Sequence, residues 1–141
     1  MQSVTISTII NAPIDEVWAR WTQPEHVTQW TFASDDWESP TASNDLRVGG
    51  AFTTRMQAKD GSFGFDFGGT YTAVEEPTHI AYDMADGRHV DVCFELVDGG
   101  VRVTETFDLE TENSADMQRA GWQAILENFK KYVEAGRKSA V

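Results

Sequence analysis

Glu105 is a carboxylate at an apolar position of a predicted strand, and no other residue in the chain has a chemically more distinctive place. In residues 101–109, VRVTETFDL, the apolar residues Val101, Val103 and Phe107 alternate with polar ones, and Glu105 falls on the apolar side. An ionised group buried without a partner is costly, so such a group is paired, close to solvent or used in function. Two positions are therefore open: a polar group inside a cavity, or a surface position reached through a bulge.

Two tyrosines fall in the same apolar phase as this carboxylate. Tyr71 and Tyr82 occupy apolar positions of two earlier predicted strands. Together with Glu105 they would fix the polar end of a ligand, or would move protons in an enzyme of the cyclase or aromatase type. Both hypotheses require the three side chains to meet inside one cavity.

The other reactive residues form no recognisable catalytic or metal-binding set. His26, His79 and His89 lie on different predicted elements, and none has metal-ligand spacing to a Cys, Asp or Glu. Cys93 lies in the polar phase of its strand, so we expect a buried or half-buried structural thiol that faces away from the helices. We therefore expect no catalytic residues, no metal and no cofactor, and a binding protein rather than an enzyme.

Length and charge limit the kinds of partner. The 141 residues suit one domain, spanning 1–141, and the formal net charge of −12 argues against binding to nucleic acid or to anionic membrane surfaces. The start MQSVTISTII lacks the features of a signal peptide, no apolar run approaches the ~20 residues of a membrane span, and the single cysteine fits a reducing compartment. We expect a cytoplasmic monomer or weak dimer without membrane insertion.

The N-terminal third is predicted to form a strand, two short helices and a connection. Residues 3–10, SVTISTII, alternate as a strand does, and NAPIDEVWARW then carries one apolar stripe at helical spacing. Thr22 and Glu25 have the spacing of a capping box for a second short helix. Residues 33–45, ASDDWESPTASND, are polar and acidic and indicate a long connection.

Residues 46–109 change to a period of two and indicate an antiparallel meander. Turn signals recur at Asp60-Gly61, at Asp86-Gly87 and at residues 98–100. Gly68-Gly69, in the middle of the predicted strand SFGFDFGGTYTAV, indicates a bulge or a sharp bend. Regular turns of this kind are typical of an antiparallel sheet with one face in water.

The last predicted element is a helix from about Ser114 to Ala135. Ser114 suits the N-cap position, and Gly136 suits a C-terminal stop. The apolar residues between them fall within an arc of about 120°, which is one broad face. The whole chain is thus predicted to be α+β, with the helices segregated to one face of the sheet.

A pattern of specific residues runs through nearly the whole chain in this order. It comprises Ala12, Pro13, Val17, Trp18, Pro24, Glu25, Trp30, the stretch DLRVGG at 45–50, Phe52, Asp60-Gly61, Gly69, Tyr71, Val74, Pro77, Ile80, Gly121-Trp122 and Leu126. The pattern resembles the START-like (SRPBCC) superfamily, and more narrowly the family of homologues of the activator of the heat-shock chaperone ATPase. The resemblance implies a helix-grip fold, in which a curved antiparallel sheet of six to seven strands wraps round the long C-terminal helix and two short helices follow the first strand.

The resemblance also implies a cavity between that helix and the sheet, where superfamily members hold lipids, sterols or polyketides. We expect an apolar small molecule as the partner, while a chaperone regulated through the outer surface and a polyketide cyclase or aromatase reaction are the two alternatives. The aromatic residues predicted for the cavity would equally fill a packed core without a cavity, and that interpretation stays open. The predicted lining residues are Trp30, Phe52, Thr54, Met56, Phe65, Phe67, Tyr71, Tyr82, Phe94, Glu105, Phe107, Trp122, Ile125 and Phe129.

The tryptophans near the N-terminus are expected to differ in role. Trp18 and Trp21 lie on the helical stripe and are predicted to belong to the core. Trp30 ends the second helix and is predicted to stand at the cavity mouth. Trp37 lies in the acidic connection, where it either folds back as a plug or stays exposed as a contact residue.

Overall fold

The elements follow the predicted order, and the α+β helix-grip architecture is confirmed. The computed structural model describes residues 2–139. In chain order the elements are β1 (Ser3–Ile10), α1 (Ile14–Thr22), α2 (Pro24–Val27), β2 (Trp37–Glu38), β3 (Ala42–Asn44), β4 (Ala51–Ala58), β5 (Gly64–Glu75), β6 (His79–Met84), β7 (His89–Val97), β8 (Gly100–Asp108) and α3 (Ala115–Ser139).

All strands join one antiparallel sheet with the order β1-β8-β7-β6-β5-β4-β2, and β3 pairs separately with β4. The sheet has eight strands, where six to seven were predicted. The additional strands β2 and β3 lie within residues 33–45, which the sequence indicated as a connection. Both are only two or three residues long, too short for a visible alternation.

The predicted hairpin turns are confirmed by their backbone angles. Gly61, Gly87 and Gly99 have φ of +78°, +91° and +92°, a conformation that side chains other than glycine rarely adopt. Each glycine follows an aspartate, as the turn signals predicted. These turns join β4 to β5, β6 to β7 and β7 to β8 as antiparallel pairs.

The irregularity in β5 lies further along the strand than predicted. The register with β6 shifts between Tyr71 and Ala73, and the pairing is regular at Gly68-Gly69. A Cβ at Gly69 would lie 2.7 Å from the carbonyl oxygen of Asp83 on the neighbouring strand. Close approach of the neighbouring strand, rather than a bulge, is therefore what the structure shows at this glycine.

Helix α3 begins as predicted and ends later than predicted. The backbone N–H of Met117 donates to Ser114 Oγ at 3.1 Å, which confirms Ser114 as the N-cap. Gly136 lies inside the helix and not at its end, and a side chain there would meet the guanidinium of Arg20. The glycine therefore makes room for a neighbouring side chain and does not terminate the helix.

The start of α2 also differs from the prediction. Gln23 occupies the N-cap position without a side-chain hydrogen bond, and the Thr22 hydroxyl instead donates to the carbonyl oxygen of Trp18 at 2.8 Å. The capping box is therefore absent from this helix start. Thr22 belongs to the last turn of α1.

Aromatic contacts place α3 across the concave face of the sheet. Trp122 stacks on Phe107 of β8, with ring centroids 4.2 Å apart and planes 7° apart. Phe129, one of the fully buried residues, meets the rings of Trp21 and Trp30 at 4.9 and 4.7 Å. Among residues 2–139, no helix combines the length and apolarity needed to cross a membrane.

Candidate ligand-binding cavity

A cavity of about 270 Å³ lies between the concave face of the sheet, the two short helices and α3. Ser43 of β3 and Phe65 at the start of β5 are its exposed lining residues, so the mouth opens at these two strands, which flank β4 on either side. The cavity is lined by Trp21, Pro24, Val27, Trp30, Thr31, Ala42, Ser43, Asn44, Phe52, Thr54, Met56, Phe65, Phe67, Tyr71, Ile80, Tyr82, Met84, Arg88, Glu105, Trp122 and Ile125.

A chain of aromatic rings forms one wall. Phe52 meets the rings of Tyr71 and Tyr82 at centroid distances of 5.2 and 4.7 Å. Phe67 meets Tyr82 at 6.4 Å and Trp122 of α3 at 6.0 Å, both edge to face. Alternation along β4, β5 and β6 turns these rings to the same face, and α3 supplies the last one.

The structure brings most of the predicted lining residues together. Eleven of them line the cavity: Trp30, Phe52, Thr54, Met56, Phe65, Phe67, Tyr71, Tyr82, Glu105, Trp122 and Ile125. The other three are buried core residues that support the wall from behind. Phe94 packs against Trp18 and Trp21, Phe107 against Trp122, and Phe129 against Trp21 and Trp30.

Glu105 is buried, with 5% of its surface exposed, and it lines the cavity. The strand is regular here, because Glu105 pairs with Ile6 of β1 and with Val92 of β7 without a bulge. Within residues 2–139 its carboxyl receives no hydrogen bond, and burial raises its pKa to about 8. The sequence left two positions open for Glu105, inside a cavity or at the surface through a bulge, and the structure shows the internal one.

The tyrosines predicted to accompany Glu105 lie in different surroundings. The Tyr71 hydroxyl donates to Asn44 Oδ1 at 2.6 Å, and the Asn44 amide donates to the Thr22 carbonyl oxygen at 2.6 Å. Burial raises the pKa of Tyr71 to about 12 and that of Tyr82 well above its usual value, the latter also through the nearby Glu105 carboxylate. Both phenols therefore stay protonated at neutral pH.

Sequence reasoning missed several lining residues, among them the half-buried Trp21, which was predicted to belong to the core. Ile80 and Met84 share the phase of Tyr82 on β6, and this alternation was a sufficient signal. Asn44 and Arg88 lie in or beside short irregular segments, where no periodicity indicates a direction. Arg88 is the one basic lining residue in the described chain, and its Nε donates to Asp86 Oδ2 at 2.7 Å.

Trp30 and Trp37 have different surroundings. Trp30 is 5% exposed, and its indole N–H donates to the carbonyl oxygen of Arg20 at 3.0 Å, so it is anchored in the cavity wall. The prediction that it stands at the mouth is wrong. Trp37 lies 6.0 Å from Phe63 and 6.1 Å from Phe65 between ring centroids. We call Trp37, Phe63 and Phe65 the edge aromatic cluster; Trp37 itself does not line the cavity.

The outer face of the sheet carries a histidine network that the sequence did not predict. His79 Nε2 lies 2.8 Å from Asp91 Oδ1, and His89 Nε2 lies 3.0 Å from Asp91 Oδ2. The other ring nitrogens face Glu75 Oε1 at 2.7 Å and Asp83 Oδ1 at 2.6 Å. Hydrogen bonds to these carboxylates raise the pKa of both histidines, that of His79 mainly through Asp91 and that of His89 mainly through Asp83.

Two further expectations concern this outer face. In the described part of the chain, no group of three or more His, Cys, Asp or Glu side chains has the arrangement of a metal site. Cys93 is exposed, and the expectation of a buried or half-buried thiol is wrong. Its place in the polar phase of β7 puts it on the solvent side, and no element covers it there.

A curved antiparallel sheet packed against a long C-terminal helix, with two short helices after the first strand, defines a helix-grip domain of the START-like class. The model of the family "Activator of Hsp90 ATPase homolog 1-like protein" matches residues 11–134. The chain therefore belongs to this family. No curated protein matches the chain.

Solved structures agree with this assignment. An AHSA1-like protein from Aeromonas hydrophila is 49% identical, with a TM-score of 0.90 over 96% of this chain and 94% of that one. Chr148 from Cytophaga hutchinsonii is 43% identical, with a TM-score of 0.82 over the same shares. Ms6760 from Mycobacterium smegmatis, 21% identical with a TM-score of 0.79 over 99% of this chain and 92% of that one, shares the fold.

Proposed function

We propose that this protein binds a small apolar molecule in the cavity between the sheet and α3. The observation that carries the proposal is an internal space of about 270 Å³ walled by aromatic rings and containing one buried carboxyl. Ligand pockets are mostly apolar and use a few polar groups to fix orientation. The combination of rings with Glu105 fits that description.

The cavity volume narrows the class of ligand. Pockets for drug-sized ligands span ~300–1,000 Å³, and this cavity lies just below that range. Its volume equals that of about nine water molecules in the liquid. A single ring with a short chain fits such a space, whereas a sterol or long lipid would have to extend through the mouth at Ser43 and Phe65.

A cavity-filling substitution and a matched surface substitution test the proposal. Thr54 is 3% exposed and lines the cavity, whereas the adjacent Thr53 is exposed on the other face of β4. We expect Thr54→Phe to weaken binding of 2-phenylethanol and ethylbenzene by at least about tenfold, because the added ring occupies the same space. Thr53→Phe should bind like wild type.

Binding is followed through the indole signals of the lining tryptophans in an NMR titration. Circular dichroism confirms that both variants are folded. Equal affinity of Thr54→Phe and wild type contradicts the proposal, and so does a wild type that binds no aromatic ligand of this size, whether neutral or charged.

A second candidate function is regulation of a chaperone ATPase, as the family description suggests. The observation that favours it is the edge aromatic cluster, in which Phe63 is 61% exposed beside Trp37. Exposed aromatic clusters are typical of protein interaction sites. Phe63→Ser should abolish any stimulation of an Hsp90 ATPase, whereas Leu96→Ser, at a residue 71% exposed on β7, should not. Absence of stimulation by the wild type excludes this function.

A further inference from the structure

The cavity contains an ionisable carboxyl, Glu105, that is paired with no cation of the described chain. The Glu105 carboxyl faces the cavity between the apolar side chains of Ile6 and Val92, its cross-strand neighbours. No hydrogen bond reaches it within the described chain. An ionised carboxylate only accepts hydrogen bonds, so a ligand group that satisfies it must donate.

The basic lining residue does not satisfy this carboxyl. Arg88 lies at the end of the hairpin before β7, and its guanidinium is held by Asp86 in an ion pair of 2.7 Å. Burial raises the pKa of Glu105 to about 8, and no hydrogen bond or ion pair in the described chain joins its carboxyl to Arg88. Any cation that pairs with Glu105 must therefore come from the ligand.

The aromatic wall is suited to the body of a cationic ligand. Phe67, Tyr82 and Trp122 meet edge to face, and Trp122 is stacked on Phe107, two residues along the same strand face from Glu105. Aromatic faces attract an organic ammonium, and they do so more strongly away from water. The net charge of −12 additionally raises the concentration of cations near the protein.

We propose that the cavity ligand carries a protonated primary or secondary amine, which pairs with the Glu105 carboxylate while its apolar body packs against the aromatic wall. This inference rests on the proposed function and specifies the ligand class of the same site. A hydroxyl head would supply one hydrogen bond but no charge, and an anionic head would keep Glu105 protonated instead of pairing with its carboxylate. The amine alone matches both the donor requirement and the charge.

Binding of an amine is linked to proton release. The free protein holds a proton on Glu105 at pH 7, because its pKa lies at about 8. An adjacent ammonium favours the charged carboxylate, so the proton leaves to the buffer while the amine keeps its own. Affinity for the amine should therefore rise between pH 6 and pH 8, by up to about tenfold per pH unit. Affinity for an alcohol should not.

Four ligands with one aromatic body test the ligand class. We would titrate wild type with 2-phenylethylamine, 2-phenylethanol, ethylbenzene and 3-phenylpropanoate at pH 6, 7 and 8, by calorimetry in buffers of different ionisation enthalpy. At pH 8 we expect the amine to bind at least about tenfold more tightly than the alcohol. At pH 7 we expect close to one proton to be released for each amine bound.

Two variants with the same change of formal charge separate the site from the overall charge. Glu105→Gln should abolish the preference for the amine and its pH dependence, while binding of ethylbenzene is kept. Glu95→Gln changes an exposed carboxylate that pairs with Arg102 at 3.0 Å on the outer face, and it should keep the preference. The proton release is measured on the wild type, so this test remains valid even if one of the variants does not fold.

The outcomes distinguish the two proposals. If ethylbenzene and 2-phenylethanol bind but the amine has no advantage, or keeps its advantage in Glu105→Gln, the amine inference is wrong and the proposed function stands. A preference for 3-phenylpropanoate also overturns it and would point to Arg88. If none of the four binds to the wild type, both proposals are wrong.

Discussion

The carboxylates on the two faces of strands β7 and β8 have opposite surroundings. On the concave face, Glu105 is buried opposite Val92, and no hydrogen bond from residues 2–139 reaches its carboxyl. On the outer face, Asp91, the neighbour of Val92, lies between His79 and His89. Glu105 of β8 and Asp91 of β7 lie one pairing position apart on neighbouring strands, and the alternation of side chains turns them to opposite faces of the sheet.

The comparison shows that burial and pairing have distinct electrostatic consequences. Burial without a partner makes the charged form of Glu105 unfavourable and raises its pKa to about 8. Pairing on the half-exposed face favours the charged form of the histidines and raises their pKa values. The inner face holds a costly group that a ligand can satisfy, whereas the outer face satisfies its groups itself.

The largest expected effect concerns the pH dependence of stability at Glu105. Its pKa is 4.5 unfolded and about 8 folded, so between these values the native state holds a proton that the unfolded state releases. The contribution of Glu105 to the free energy of unfolding therefore falls as the pH rises through this window. At about 1.36 kcal/mol per pKa unit, the total fall is about 5 kcal/mol.

Urea unfolding of wild type and Glu105→Gln at pH 5, 7 and 9 measures this contribution. The variant should gain stability relative to wild type as the pH rises, since the amide does not titrate. Glu95→Gln should show no comparable gain, because Glu95 is exposed. A constant difference between Glu105→Gln and wild type from pH 5 to pH 9 would show that the two faces do not differ in this way.

The sequence was sufficient to predict which residues face the inside of the sheet wherever the alternation runs over many residues. The alternation along β4 to β8 and the apolar arc of α3 predicted the sheet, the helix and ten of the eleven lining residues, the exception being Trp30, which follows α2. The alternation also placed Glu105 inside, although only the regular pairing with Ile6 and Val92 excludes a bulge. Phase along a strand is a local property, so it can be read without knowing the partner strands.

The outer network could not be predicted, because it depends on register between strands. His79 and Asp91 are neighbours only because β6 and β7 pair with His79 opposite Cys93. A shift of one residue would place these side chains on different faces. The prediction of a connection over residues 33–45 missed β2 and β3 for a related reason, because these strands are too short to show an alternation of their own.

The smallest expected effect is the loss of the outer network in Asp91→Asn. The pKa values of His79 and His89 are raised in the folded state, so their stabilisation is present below the unfolded value of 6.5 and disappears as the pH rises through the folded values. Partly exposed pairs of this kind contribute about 0.2–1 kcal/mol each. Asp91→Asn should therefore be slightly less stable than wild type at pH 5.5 and equal to it at pH 9.

Titration of the histidine ring protons by NMR locates the effect. In Asp91→Asn the pKa of His79 should fall further than that of His89, because Asp91 is the main cause at His79 whereas Asp83 is the main cause at His89. His26 serves as the internal control, since its Nδ1 bonds to the hydroxyl of Tyr132 on α3 and not to a carboxylate. If His89 responds as strongly as His79, Asp91 and not Asp83 dominates both sites, and the outer face is then organised by one carboxylate, as the inner face is.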